Sequence, residues 1–373
     1  MSQSVLDPPT STPAGPDRPQ RKRRATNEGV VEIIGSAVAA VATVWLVFAI
    51  EGITAWFGLF FCSYLLFLTL YGIVSWRKHG ILRMKDRLAT VAVWTGAVLA
   101  LVVLLAVVSY VAVKGAPVVF AKFPSFLIHD MTGGKNGNTF GVGAAIVGTV
   151  EQVALATILS VPIAYLTATY MVESRSALAR VVRGVVDAMT GTPSIIAGLF
   201  MYMIWVVPHG VNGKSGFIAA ITLSIMMLPV TCRAALEVIR IVPGSLREAA
   251  LALGAPQWRV VLRVVIPTAR VGLVTAAILG VARTAGETAE VLFTAGGGPH
   301  YNFNPFQGNQ DDLPLRIYEQ VFQPSAQAIS IGWGAAFVLM VVVLGLFILA
   351  RLVGSGGFKI RWTKRSPDPV GEP

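Results

Sequence analysis

The chain has 373 residues, 54% of them hydrophobic and 13% charged, with a mean hydropathy of +0.68, which excludes an ordinary soluble globule and places it in a bilayer. The formal net charge of +11 raises nucleic acid as a partner, but the basic residues alternate from loop to loop, a pattern that membrane topology explains without one. Two cysteines, Cys62 and Cys232, and four scattered histidines exclude a disulfide framework and zinc spacing, and argue against a His-rich metal site.

Residues 1–28 are rich in Pro, Ser and Thr and end in Arg21-Lys22-Arg23-Arg24, which predicts a disordered cytoplasmic tail held at acidic lipid headgroups. The apolar stretch behind it is long and followed at once by another, so it is not a cleavable signal. A span needs roughly 20 apolar residues, and about eight windows qualify: 31–50, 53–76, 88–113, 142–172, 185–207, 216–235, 270–295 and 329–352. The first two form a hairpin with few polar side chains, and Arg77, Lys78, Arg83, Lys85 and Arg87 fill a basic loop behind it. Domains are expected at 29–87 (hairpin and basic loop), 88–353 (transmembrane core, with a cytoplasmic loop at 236–269) and 354–373 (cytoplasmic tail).

Cations also follow the fourth span (Arg175, Arg180, Arg183), the sixth (Arg240, Arg247, Arg259, Arg263) and the last (Lys359, Arg361, Lys364, Arg365). The intervening loops hold few. The positive-inside rule therefore puts both termini and the Glu248 loop in the cytoplasm. The loops from Lys114 to Phe140, with Gly133-Gly134-Lys135-Asn136-Gly137-Asn138, and from Gly296 to Pro324, with Asp311 and Asp312, are expected on the opposite side. They are read either as a surface for an external partner or as solvated connectors.

From Gly141 onward the spans acquire Thr, Ser, Pro, Gly and charge. Thr190-Gly191-Thr192-Pro193-Ser194 interrupts the fifth span; such a break suits a water-filled passage, and hydroxyls bonded within their own helix are the alternative. Arg233, after Pro229, is a pathway candidate or a snorkelling cation. Gly213-Lys214-Ser215 matches only the end of a phosphate-binding loop, since Pro208 takes the place of its first glycine. No catalytic motif occurs elsewhere, so the chain is not expected to be an enzyme.

Between the sixth and seventh spans lies SLREAALALGAPQWRVVLRVVIP, Ser245 to Pro267. Ser245 and Glu248 predict a capping box and Gly254 a left-handed end, giving two short helices about a glycine turn. Leu246, Ala249, Ala250 and Leu253 share one face. Beyond it, Arg283 is expected about 20 Å along the seventh span from Arg270. Arg283 and Glu287 are four apart and Glu290 one turn further. Ionisable groups at that depth face an aqueous cavity or one another, so the pair is read as a contact for an anion or as an internal salt bridge.

Glu248-Ala249-Ala250, three residues, Gly254, then Val264-Val265-Ile266-Pro267 resemble the EAA loop of ATP-binding-cassette (ABC) importer permeases, consensus EAA, three residues, G, nine residues, I, any residue, L, P. Gly286 to Ala295, GETAEVLFTA, resembles GETAPLLFTA of the A-subunit phosphate permeases, the PstA family, with Glu290 in place of Pro. Ala145 to Thr149 and Thr192 to Leu199 are also similar to that family's segments. The likeness runs from Gly141 to Val353, and the C-subunit pattern, GETMAV, fits less well.

The resemblance implies an all-α polytopic fold, with a type I importer (MetI-like) core of six spans plus an N-terminal helical hairpin, in the cell membrane. It also implies a related permease (PstC type), two ATPase subunits (PstB type) that bind ATP and Mg, and an external phosphate-binding protein (PstS type), with no cofactor in this chain. Carried over, Arg283 and Glu287, with Arg233, become the charges of the phosphate path, to which the break in the fifth span adds Thr190, Thr192 and Ser194 as candidates; Arg247, Glu248, Ala249, Ala250 and Gly254, in the EAA loop, are expected to couple to the ATPase. Permeases for sulfate, molybdate or phosphonate, a secondary transporter or channel, and a membrane scaffold are the competing readings.

Overall fold

The computed structural model describes residues 27–52, 54–132, 140–174 and 176–354. The predicted tail with Arg21 to Arg24, the segment Gly133 to Asn138, Arg175 and the C-terminal cations from Lys359 onward lie outside the described residues. Within them the chain is all helix, and seven helices are long and apolar enough to cross a membrane, or eight if one bent pair is counted as a span.

The chain divides into two compact units after Leu105. In the first, α1 (Asn27–Glu51) and α2 (Trp56–His79) pack side by side. Glu32, buried in the first turns of α1, draws Arg87 to 2.5 Å, Lys78 to 3.2 Å and His79 to 3.6 Å. These cations do not fill a loop, contrary to expectation. Arg77, Lys78 and His79 form the last turn of α2, and α3 (Ile81–Ala121) begins directly after Gly80, carrying Arg83, Lys85 and Arg87.

The second unit holds the remainder of α3, α4 (Ser125–Ile128), α5 (Gly143–Glu173), α6 (Ala177–Thr190) and α7 (Ser194–Met201). A π-helical turn, Tyr202–Val206, leads from α7 into the single turn α8 (Val207–His209). Next come α9 (Gly216–Ile241), α10 (Gly244–Ala252), α11 (Gln257–Val260), α12 (Ile266–Thr284), α13 (Ala289–Thr294), α14 (Leu313–Val321) and α15 (Ala326–Gly354). The centre is the α5–α9 pair, crossed by α12. Ala164 and Ala168 of α5 bury with Cys232 and Ala235 of α9 and with Ala269, Leu273 and Ala276 of α12. Lipid gives apolar helices no hydrophobic reason to associate, so close approach along small side chains supplies the attraction.

Four expectations change. The fifth span is interrupted at Thr190 to Ser194 as expected, but it starts earlier than the 185–207 window and its two helices, α6 and the α7–α8 run, meet at 98°, because Pro193 cannot continue α6 and the residue before a proline avoids helical geometry. The seventh span begins earlier and stops sooner: α11 runs through a π turn, Val261–Val265, into α12, which ends at Thr284. Ser245 caps nothing, because α10 starts at Gly244 behind Pro243 with no side-chain cap. The loop from Gly296 to Pro324 is not a solvated connector, since it contains α14 and buries Gln310, Asp311 and Asp312 almost completely.

That loop closes the end of the unit opposite α10. Gln310 accepts from Gln152 of α5 at 3.2 Å and donates to Glu151 at 2.5 Å, and Thr149 takes the Leu313 amide at 2.8 Å. Arg316 grips Asp311 through two nitrogens, at 2.8 and 2.6 Å, and Asp312 caps α14 by accepting from the Leu315 amide at 2.7 Å. Burial pushes the Asp311 carboxyl up to about 6 despite its arginine, and that of Asp312 up to about 8.

Candidate coupling and translocation sites

The first candidate site is the segment between α9 and α12. None of the residues of α10 is buried, and Leu246, Leu251 and Leu253 are all exposed. Two exposed leucines on a nine-residue helix, with a third at its C-cap, are unusual for a water-facing surface and natural for a docking face. Glu248 and Ala249 are exposed beside them, whereas Ala250 leans back against the α5–α9–α12 core. Gly254 has φ +79°, the left-handed conformation its sequence position called for, and its amide closes the helix on the Leu251 carbonyl at 2.9 Å.

Arg247 points the other way. Its Nε meets Glu173, the last residue of α5, at 3.0 Å, and its other nitrogens donate to the Val242 and Ile239 carbonyls at 2.9 and 3.0 Å. Val242 is the C-cap of α9 and Ile239 lies in its last turn, where its carbonyl also takes the Val242 amide at 3.3 Å. Gln257, opening α11, donates to the Glu173 carbonyl at 3.2 Å. Glu173 went unnoticed in the sequence because nothing in a run such as Tyr170-Met171-Val172-Glu173 distinguishes an anchor from a surface acid.

The second candidate site surrounds the end of α12. Arg283 occupies its last turn and Glu287 the turn beyond, 3.7 Å apart. Arg283 keeps 59% of its side chain exposed against 22% for Glu287, so the guanidinium has a free side, unlike Arg316 at 6%. Glu290, in the first turn of α13, is wholly buried, with neither carboxylate oxygen bonded to a described group. Alpha13 is seated there by Gly198 of α7: a Cβ at that position would lie 3.0 Å from the Glu290 Cα and 3.1 Å from the Ala289 carbonyl. The GETA segment thus packs against the TPSIIAGL segment, two stretches that are distant in sequence.

The other predicted path residues are divided. Arg233 pairs with Asp187 of α6 at 2.7 Å, both about half exposed, in a cleft also lined by Arg183, Glu237 and Arg240. Thr190, the last residue of α6, donates to the Val186 carbonyl at 2.8 Å, and Thr192, in the break beyond it, to the Ala188 carbonyl at 3.3 Å, both in α6. Ser194 is half-buried at the start of α7. The structure brings neither Arg233 nor these hydroxyls to Arg283. Among the described residues no group of three or more His, Cys, Asp or Glu is placed to hold a metal ion.

Residues 160–359 match the family described as binding-protein-dependent transport system inner membrane component. The chain is 37% identical to the phosphate transport system permease protein PstA of Mycobacterium leprae over 71% of its own length and 86% of that protein's. It is 40% identical to PstA 1 of Mycobacterium tuberculosis (strain H37Rv) over 57% of this chain and 69% of that one. It is 32% identical to a probable PstA of Methanocaldococcus jannaschii over 74% and 95%. A solved inward-facing structure of the MetNI methionine ABC transporter aligns with TM-score 0.43 and 20% identity, over 58% of this chain and 91% of that one. This multi-pass membrane protein belongs to the family of binding-protein-dependent transport system inner membrane components, among the permeases typified by its PstA relatives.

Proposed function

We propose that the chain is the transmembrane permease subunit of an ATP-driven importer of inorganic phosphate. The observation that carries the coupling half of this reading is α10, a helix with an exposed apolar face, no buried residue of its own and a left-handed glycine turn behind it. In this reading a separate ATPase subunit seats α10 through Leu246, Glu248, Ala249 and Leu253, binds ATP and Mg, and rocks the spans between inward-facing and outward-facing arrangements. The alternation of basic residues from loop to loop supports a cytoplasmic position for α10 and for both termini. Phosphate as substrate is supported by the names of the PstA relatives and by Arg283, a guanidinium with an open side at the end of a core helix. Glu287 orients it. Arg233, with Asp187, sits beside a cleft near the α10 end and serves the inner part of the path; Thr190, Thr192 and Ser194 shape the bend of the fifth span.

A second permease of the same family completes the path, two copies of the ATPase bind below, and an extracytoplasmic phosphate-binding protein docks over the Gly296 to Pro324 loop. The test is purification of the intact complex from its own membrane, followed by phosphate uptake into proteoliposomes loaded with ATP. Copurification of an ATPase and a second permease, with uptake that sulfate, molybdate and phosphonates do not compete away, is the expected result. Uptake driven without an ATPase, or a preference for another oxyanion, overturns it.

A further inference from the structure

Alpha10 is nine residues long, too short to hold itself together, and buries none of its own side chains. A force applied to such a helix would tilt it on its flanking turns unless something fixed it to the spans. The two ends of the loop are fixed to one place. Arg247 of α10 reaches the Glu173 carboxylate, and Gln257 of α11 reaches the Glu173 backbone carbonyl. Arg247 also holds the Ile239 and Val242 carbonyls at the end of α9. Both partners of the ion pair are mostly shielded, Arg247 at 20% and Glu173 at 16% exposure, so solvent screens it weakly. Just behind it, Met171, Ile239 and Val242 are buried in the same hydrophobic cluster as the α5–α9–α12 core.

We propose that Arg247 is the joint that delivers movement of α10 to α5 and α9 together, with Glu173 as its anchor. Both are positioning residues for coupling, and Arg247 does not contact the ATPase. This rests on the function proposed above. The rigid guanidinium fork suits the task because it carries five donors in one plane and so spans a carboxylate and two carbonyls on different helices; a lysine ammonium cannot reach all three. A joint of this kind differs from a fold stabiliser in what its loss changes: ATP is still hydrolysed while the spans no longer follow.

The experiment uses the whole complex in proteoliposomes, measuring phosphate uptake and ATP hydrolysis in the same vesicles for the parent, Glu173→Gln, Arg247→Gln, Arg247→Lys and the reversed pair Glu173→Arg with Arg247→Glu. Glu173→Gln and Arg247→Gln are expected to assemble and to hydrolyse ATP within about twofold of the parent, with phosphate moved per ATP down at least about tenfold. Arg247→Lys should fall between. The reversed pair should recover part of the ratio, because it restores the ion pair without the α9 contacts. Unchanged phosphate per ATP in the two glutamine variants overturns the inference, as does a parallel fall of hydrolysis and uptake with no recovery in the reversed pair. Should a glutamine variant fail to assemble, Gln257→Ala, which removes the second tie alone, must lower the same ratio, and an unchanged ratio there is equally damaging. A parent complex that moves no phosphate would instead sink the proposed function, so the two failures are told apart.

Discussion

Gly254 allows the coupling loop to be perturbed with little else changing. Its φ of +79° is a conformation that costs a residue with a Cβ roughly 1–2 kcal/mol, and an added Cβ would meet no atom within 4 Å. The whole penalty is therefore torsional, with no steric clash and no cavity. Asparagine, which tolerates the left-handed region, should lose little; alanine should lose about 1–2 kcal/mol of turn stability, and valine more, because its branched Cβ adds strain. A penalty of that size lowers the population of the native turn by roughly five- to thirty-fold relative to its alternatives. It leaves the spans intact, since residue 254 is exposed and packs on nothing. The assay is phosphate moved per ATP hydrolysed in proteoliposomes, together with the thermal midpoint of the purified complex. The ratio should fall in the order Gly, Asn, Ala, Val while the midpoint stays within a few degrees. A ratio that ignores the series, or a midpoint that collapses with it, would refute the claim that this turn sets the handle.

Other perturbations report on other parts of the molecule. Gly198→Val should push α13 away from α7, because even a Cβ would sit 3.0 Å from the Glu290 Cα; overpacking of this kind costs typically 1–3 kcal/mol, and it should reduce both thermal stability and uptake, whereas Gly198→Ala should be milder. Arg283→Ala should abolish phosphate uptake with assembly and basal hydrolysis retained, and normal uptake would leave Arg283 only the role of a salt-bridge partner for Glu287. Asp312 tests linkage. Its folded-state value is raised to about 8 from an ordinary 3.8, so its contribution to stability is full below about pH 4 and is lost as pH rises towards 8. Asp312→Asn keeps an N-cap acceptor and removes the titration, so the variant's thermal midpoint should depend less on pH between 4 and 8 than the parent's; identical slopes would show that the carboxyl is not held protonated.

How far the sequence reached can be judged residue by residue. Eight apolar windows, the hairpin before the core, the left-handed turn at Gly254 and the Arg283–Glu287 spacing were all written in local pattern. Hydropathy, helical period and glycine conformation act over fewer than 25 residues, and each leaves its mark within its own segment. What the pattern could not supply was any partner distant in the chain. Glu173 lies 74 residues from Arg247, Asp187 lies 46 from Arg233, and Gln152 lies 158 from Gln310. The polar character of the Gly296 to Pro324 loop suggested solvent, yet its polar groups are spent on α5, on one another and on α14.

Sequence alone determined that this is a multi-pass helical membrane protein with a short polar helical segment between its sixth and seventh spans, because bilayer burial and helix geometry are imposed on each segment independently. Only the tertiary structure decided that Arg247 faces inward to Glu173 and the end of α9, that Glu290 is sealed beneath Gly198, and that the fifth span is bent through 98°. Those outcomes depend on which helix ends meet, and a hydrogen bond or an ion pair between residues distant in the chain carries no trace in the sequence of the partner it will find.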